Sequence, residues 1–385
     1  MATLALFSLL LLAFSSPIQA QKKIVCYVSS WSIYRPGDGF FNSSFVDPNI
    51  CTHLIYAFIS AHPNGSIMIR DPNADIRLGG FAKLNKLREA NPTLVTMVSV
   101  GGSGTSSTTF SSICNDVTVR ATFVNNLFDF VVSYKFNGLD VDWEYPTQKG
   151  GIPADKANYV SLIQELRAKF GPAGLLLSAA VSSSAYITSK AYDVPPISAA
   201  LDFINLMTYD FHGVRDNKTG QNSPLYASSI DADKRYNANA AVQNWIKLGA
   251  DRTKLILGAP LYGQTYTLLN PSKTELGAAI KGPGSPGKWS RQAGVLIYNE
   301  ICSSMKSQTD WTEVWDEEQA VPYAYRSDQW VGYDNVKSVG IKSKYALDQG
   351  LGGVLVWSLD MDDFRNLCGA GKFPLVTALK ANLVV

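Results

Sequence analysis

The 385-residue chain predicts an α/β fold, a closed (β/α)8 TIM barrel carrying a small α+β insertion between its seventh and eighth strands. Three observations lead there. Short β-branched or apolar runs recur eight times, each followed by turn residues and a segment of helical period, and that alternation closes a parallel barrel rather than an open sheet. One interval, 264–331, is too long for a βα connection. The composition, 46% hydrophobic and 17% charged, supplies a core large enough for one big domain.

The elements follow in chain order. Residues 3–15 form a short apolar run ending in a polar break and Ile18-Gln19-Ala20, so 1–20 is expected to be a signal peptide and 21–385 the mature barrel chain. The run is too short for an ordinary membrane span, so a secreted, extracellular protein is expected. Strands are expected at 24–28, 53–58, 94–100, 138–142, 175–181, 203–207, 255–259 and 352–357. Between them, Phe123, Val124, Leu127, Phe128 and Val131 form one helical stripe, and Tyr159, Leu162, Ile163, Leu166 and Phe170 another. The segment 264–331 contains Pro271, Pro283, Pro286 and a Gly-rich stretch, and reads as the α+β lobe standing on the barrel rim. One short helical stretch, 374–383, follows the last strand.

Charge excludes several partners. With 34 Lys+Arg against 32 Asp+Glu, the net charge of +2 offers no footprint for nucleic acid or an anionic membrane. His53, His62 and His212 are scattered and no CxxC pair occurs, so neither a metal nor a cofactor is expected. The five cysteines suit an oxidising compartment with two bridges and one leftover thiol. Cys26 lies near Cys51 and, more loosely, Cys302 near Cys368, but spacing leaves the pairing open. Asn42, Asn64 and Asn217 each begin an acceptor tripeptide for glycosylation. Eight Trp and 18 Tyr supply many flat amphipathic faces of the kind that stack on sugars.

The most informative segment is Phe136-Asn137-Gly138-Leu139-Asp140-Val141-Asp142-Trp143-Glu144-Tyr145-Pro146. Strand alternation puts Asp140, Asp142 and Glu144 on one face, about 6.5–7 Å apart in succession. Like charges that close cannot all ionise cheaply, so at least one pKa should rise, as a general acid at neutral pH requires. Pro146 ends the strand at a rim, where barrel enzymes place catalysis.

This segment resembles the DxxDxDxE signature of the secreted chitinases and chitinase-like proteins of glycoside hydrolase family 18, and the likeness extends over nearly the whole mature chain. Val25-Cys26-Tyr27 with Trp31 is similar to that family's first strand, 52–58 to its second, and Gly101-Gly102 to the turn after its third. Met207-Thr208-Tyr209-Asp210 and 353–357 are similar to its sixth and eighth strands. The resemblance implies bridges Cys26–Cys51 and Cys302–Cys368, an insertion after strand seven, and a monomer binding chitin or chitooligosaccharides.

It also implies a mechanism in which the substrate's own N-acetyl group is the nucleophile. Glu144 would protonate the glycosidic oxygen and then act as base. Asp142 would orient the acetamido group and steady the oxazolinium charge, with Asp140 holding or sharing its proton. Tyr209 would donate to the acetamido oxygen, Asp210 would contact the distorted sugar, and Trp357 would be the floor beneath it, with Tyr27, Phe58 and Met207 completing the pocket. Gly101, Gly102, Tyr145 and Tyr262 belong to the same substrate-binding set. The implied activity is an endo-type chitinase working with retention of configuration.

Four positions depart from the family pattern. Asn137 stands where the signature begins with Asp, which would remove a carboxylate from the relay modulating Asp140. Ser103 and Arg215 stand where Trp is frequent, and Gln264 where Arg is frequent, all on the leaving-group side of the groove. The alternative function is therefore a non-catalytic or weakly catalytic chitinase-like lectin or growth-factor-like protein. A hydrolase of another N-acetylglucosamine-containing glycan is a third.

Overall fold

The computed structural model describes residues 22–383; the expected signal peptide lies outside them. Eight parallel strands follow one another as β1 (Lys23–Ser29), β2 (His53–Ala61), β3 (Val95–Gly101), β4 (Gly138–Asp142), β5 (Leu176–Ser182), β6 (Phe203–Met207), β7 (Leu255–Pro260) and β8 (Gly353–Trp357). Each lies beside its chain neighbour, and Val25 of β1 faces His53 of β2 on one side and Leu355 of β8 on the other, which closes the barrel.

Alternation along these strands makes two cores. Ile24, Cys26 and Val28 point outward to the helices, while Val25 and Tyr27 point inward beside Ile55, Met97, Phe203, Ile256 and Leu355. Helices Val117–Ser133 and Asp155–Phe170 pack side by side over β4 and β5 with the expected stripes, though Phe128 is only partly buried. The first of these starts where it does because Asp116 accepts hydrogen bonds from the backbone N–H groups of Thr118 and Val119. Among the described residues, no helix is long and apolar enough to cross a membrane.

Between β7 and β8 the chain builds a second sheet, which is antiparallel and starts at Tyr262–Leu268. Strands Ile280–Pro283, Val295–Ile297 and Gln329–Gly332 pair with that strand, and Val321–Arg326 and Thr312–Asp316 extend it. Tyr266, Leu268, Ala278 and Trp330 form its own small core, while helix Tyr298–Ser307 buries Tyr298 and Ile301 in the main core. The sheet's first strand begins two residues before 264 because Leu261 alone separates it from β7.

Disulfides join Cys26 to Cys51 and Cys302 to Cys368, leaving Cys114 free and buried. Burial pushes the Cys114 thiol far up, so it stays protonated and unreactive. Asn42 and Asn64 sit in matching turns, each Oδ1 accepting from the backbone N–H and the hydroxyl of the serine two residues on. Asn217 differs: its φ of 55° is left-handed, and its partner Thr219 is buried and donates to the Glu275 carbonyl.

Candidate active site

β4 carries the acids into the barrel's C-terminal mouth. Asp140 is fully buried and accepts four hydrogen bonds, from Tyr27 Oη (2.9 Å) and Ser99 Oγ (2.8 Å) on Oδ2 and from Ser178 Oγ (2.7 Å) and Asn205 Nδ2 (3.2 Å) on Oδ1. The donors come one each from β1, β3, β5 and β6. Burial raises the Asp140 pKa, and the four donors pull it back. With both oxygens engaged, a proton can enter only by displacing a donor.

Asp142 has no such support. It is 3% exposed, and its Oδ1 has no hydrogen-bond partner in the protein. Burial first, then the charges of Glu144 and Asp140, raise its pKa well above the usual carboxylate range, opposed only by Lys149. Glu144 is half-buried and is raised by burial, lowered by Lys149 and raised again by Asp210. The intervening Trp143 points the other way, 1% exposed, and donates its indole N–H to Ser107 Oγ. Two carboxyl groups with raised pKa values thus stand above a fixed, saturated third.

Above the acids lies a cavity of about 430 Å³ lined by Phe58, Asp142, Glu144, Tyr145, Met207, Tyr209, Asp210, Tyr262 and Trp357, among others. A second cavity of about 360 Å³ continues past Phe58, Ser103 and Trp357 to Trp31 and Arg70. Trp357 stacks on Phe58 at 5.6 Å between centroids, and Trp31 lies 6.1 Å from Phe58, a continuous aromatic floor. Tyr27 is placed differently from the expectation of a pocket wall. It is 2% exposed beneath Trp357, and its hydroxyl serves Asp140. Gly101 and Gly102 also stay out of the cavity lining. Both have left-handed φ, and a Cβ would collide with the Asp142 carbonyl at the first and the Phe58 ring at the second, so they permit close packing of the mouth.

Asp210 sits at a corner with φ of 56° and is held at every polar group. Its N–H donates to Asn222 Oδ1 (3.0 Å), its carbonyl accepts from Arg215 Nη2 (2.6 Å), and its Oδ1 accepts from Tyr262 Oη and Gln264 Nε2, both at 2.7 Å. Gln264 therefore keeps a contact to Asp210 without a charge, and Arg215 brings a guanidinium to the same corner from a different strand end.

Asn137 corrects an expectation. Counting back from inward-facing Asp140, alternation turns residue 137 outward, and its Oδ1 accepts from Arg88 Nη1 (2.8 Å) and the Thr96 N–H (3.0 Å), not from any group of the Asp140 cluster. Asn137 thus makes no contact with the relay. Sequence reasoning missed Ser99, Ser178, Asn205, Asn222 and Lys149. For the first three a signal existed: each is a lone polar residue between apolar neighbours in a strand, at an inward position.

The comparisons agree with this geometry. The model of glycosyl hydrolases family 18 matches residues 23–362. Chitotriosidase-1 of Mus musculus is 40% identical over 372 residues, covering 94% of this chain and 78% of that protein. The Group IV chitinase of Ostrinia furnacalis, solved in complex with allosamidin, superposes with a TM-score of 0.92 at 38% identity, over 94% of this chain and 99% of that one. Human YKL-39, described as a pseudo-chitinase with retained chitooligosaccharide binding properties, superposes at 0.87 with 37% identity, over 94% of this chain and 99% of that one. The chain belongs to the glycosyl hydrolases of family 18.

Proposed function

We propose that the protein is a secreted, monomeric endo-type chitinase that hydrolyses β-1,4-linked N-acetylglucosamine chains by a substrate-assisted, retaining mechanism. The observation that carries this reading is the paired Asp142 and Glu144, both raised in pKa, above an Asp140 fixed by four donors. Glu144 gives its proton to the glycosidic oxygen as the acetamido carbonyl oxygen of the same sugar attacks C1, and the leaving sugar departs as an alcohol. The bicyclic oxazolinium is positive, and Asp142 accepts from the acetamido N–H and offsets that charge. Glu144, now a carboxylate, takes a proton from water, and that water opens the ring at C1 from the face the leaving group vacated. Two attacks on opposite faces retain the β configuration.

Trp357 supplies the apolar floor for the sugar ring, and Tyr209 and Asp210 face it from the segment that follows β6. The continuation of the cleft to Trp31 supports internal cleavage of long chains. The disulfides support an extracellular site of action. Purified protein and a Glu144→Gln variant, incubated with chitotetraose, test the reading: β-anomeric products from the parent, lost in the variant, are expected. No turnover by the parent at micromolar concentration would sink it.

A second reading, a chitooligosaccharide-binding protein with little turnover, draws on Ser103 and Arg215, which lack the indole frequent at their family positions, and on Gln264, which lacks the guanidinium. It predicts binding of chitotetraose by the parent with no products.

A further inference from the structure

The cavity over Glu144 has a mixed lining. Trp357 and Phe58 form its aromatic floor. Its wall also includes Ile187, Phe211, Arg215 and Tyr236. Tyr236 belongs to none of the motifs above. It precedes helix Ala238–Lys247, is 42% exposed, and packs edge-on against His212 with centroids 6.2 Å apart. His212 is itself fixed, its Nδ1 3.0 Å from Asp216 Oδ2 and its ring so close to Gly220 that a Cβ there would collide with it. Arg215 is also immobilised, with Nη2 committed to the carbonyls of Asp210 (2.6 Å) and Phe211 (2.9 Å).

An aromatic ring that is open on one side and backed by an anchored ring loses little freedom when a ligand covers it. Its flat face suits the C–H face of a pyranose, and the guanidinium on the same wall supplies donors for the hydroxyls around that ring. We infer that Tyr236 is a specificity-determining residue, the stacking surface for a neutral sugar on the leaving-group side of the cleft. This rests on the chitinase reading and specifies how the site grips that half of the chain. The stacking face expected at residues 103 and 215 is thus supplied from a different loop, with its rigidity borrowed from His212 and Asp216.

The test uses the full secreted chain, Tyr236→Ala and Tyr236→Phe, on two substrates: chitohexaose, whose leaving group is a sugar, and an aryl β-chitobioside, whose leaving group is a phenol. The ratio of kcat/KM for the hexamer to that for the aryl glycoside is expected to fall about fivefold in Tyr236→Ala, through KM, which is about 1 kcal/mol at 1.4 kcal/mol per tenfold. Tyr236→Phe is expected to restore the ratio. For a parent that binds without cleaving, the same comparison is read from the Kd of chitohexaose against that of chitobiose. An unchanged ratio in Tyr236→Ala, or a fall that phenylalanine does not restore, overturns the inference while leaving the chitinase reading intact. A parent that neither cleaves nor binds these sugars overturns both.

Discussion

The hydroxyl of Tyr27 donates to Oδ2 of Asp140 at 2.9 Å across the barrel interior, and Asn205 Nδ2 touches both groups, 3.0 Å from the hydroxyl and 3.2 Å from Oδ1. Asp140 can carry charge in a dry interior only because such donors replace water. Tyr27→Phe removes one of them and leaves the packing volume nearly unchanged. Hydrogen bonds to buried charged groups contribute about 1.5–3 kcal/mol, so the variant is expected to lose about 2 kcal/mol of stability at neutral pH. It should also turn over more slowly, because a weakened Asp140 competes for the proton that Asp142 needs. Urea denaturation and chitotetraose hydrolysis check the two effects, and full stability with full activity would show that the bond carries nothing.

That network also shows how far the sequence was legible. The eight barrel strands were readable because apolar runs bounded by turn residues have a period, and the acids of β4 because three carboxylates on one face have no cheap structural purpose. Ser99, Ser178 and Asn205 carry no spacing that links them; only barrel closure brings β3, β5 and β6 around Asp140. Lys149 and Asn222 lie in loops, where no period exists to read. Tyr27 was assigned to the right cluster but the wrong level, since strand alternation gives direction and not height in the barrel. Asn137 differs for the opposite reason: a motif taken as a string hides the odd offset from Asp140 that turns residue 137 outward.

Lys149 lowers the pKa of Glu144, and its charge is exposed on the rim, with Nζ 5.7 Å above the Tyr145 ring. A positive charge stabilises the carboxylate, so Lys149→Met is expected to raise the Glu144 pKa. Since the protonated acid starts the reaction, the alkaline limb of the kcat/KM profile should move to higher pH, by a few tenths of a unit given solvent screening of an exposed cation. A limb that moves down, or does not move at low ionic strength, would contradict the assignment of Glu144 as the acid.

Cys302–Cys368 ties helix Tyr298–Ser307 of the second sheet to the chain after β8, across 66 residues. Closing a loop of that length in the unfolded chain is worth about 4 kcal/mol, against about 3.5 kcal/mol for the 25-residue separation of Cys26–Cys51. The double replacement Cys302→Ala/Cys368→Ala is therefore expected to destabilise the protein at least as much as Cys26→Ala/Cys51→Ala. The two losses differ in place. The first should loosen Tyr262 and Gln264, which reach Asp210 from the second sheet, and so raise KM in the surviving folded fraction. Thermal unfolding and KM for chitotetraose, measured side by side, separate the two bridges.

His53 lies at the start of β2, 8% exposed, edge-on to Phe203 at 5.3 Å, with Nδ1 2.8 Å from Thr52 Oγ1. Burial, and secondarily the charge of Lys23, lower its pKa to about 4. In the unfolded chain it titrates near 6.5, so between those values the unfolded state binds a proton that the folded state refuses. Stability must then rise with pH through this window and fall as the solution is acidified from about 6.5 toward 4. The linkage amounts to about 2–3 kcal/mol between pH 7 and 4.5, an upper figure for a group of this burial. His53→Gln keeps a polar partner for Thr52 and removes the titration, so its urea midpoint should change less between pH 7 and 4.5 than that of the parent. Equal acid sensitivity in the two proteins would mean that the folded barrel accommodates the imidazolium, and the loss at low pH would then have to come from another buried group.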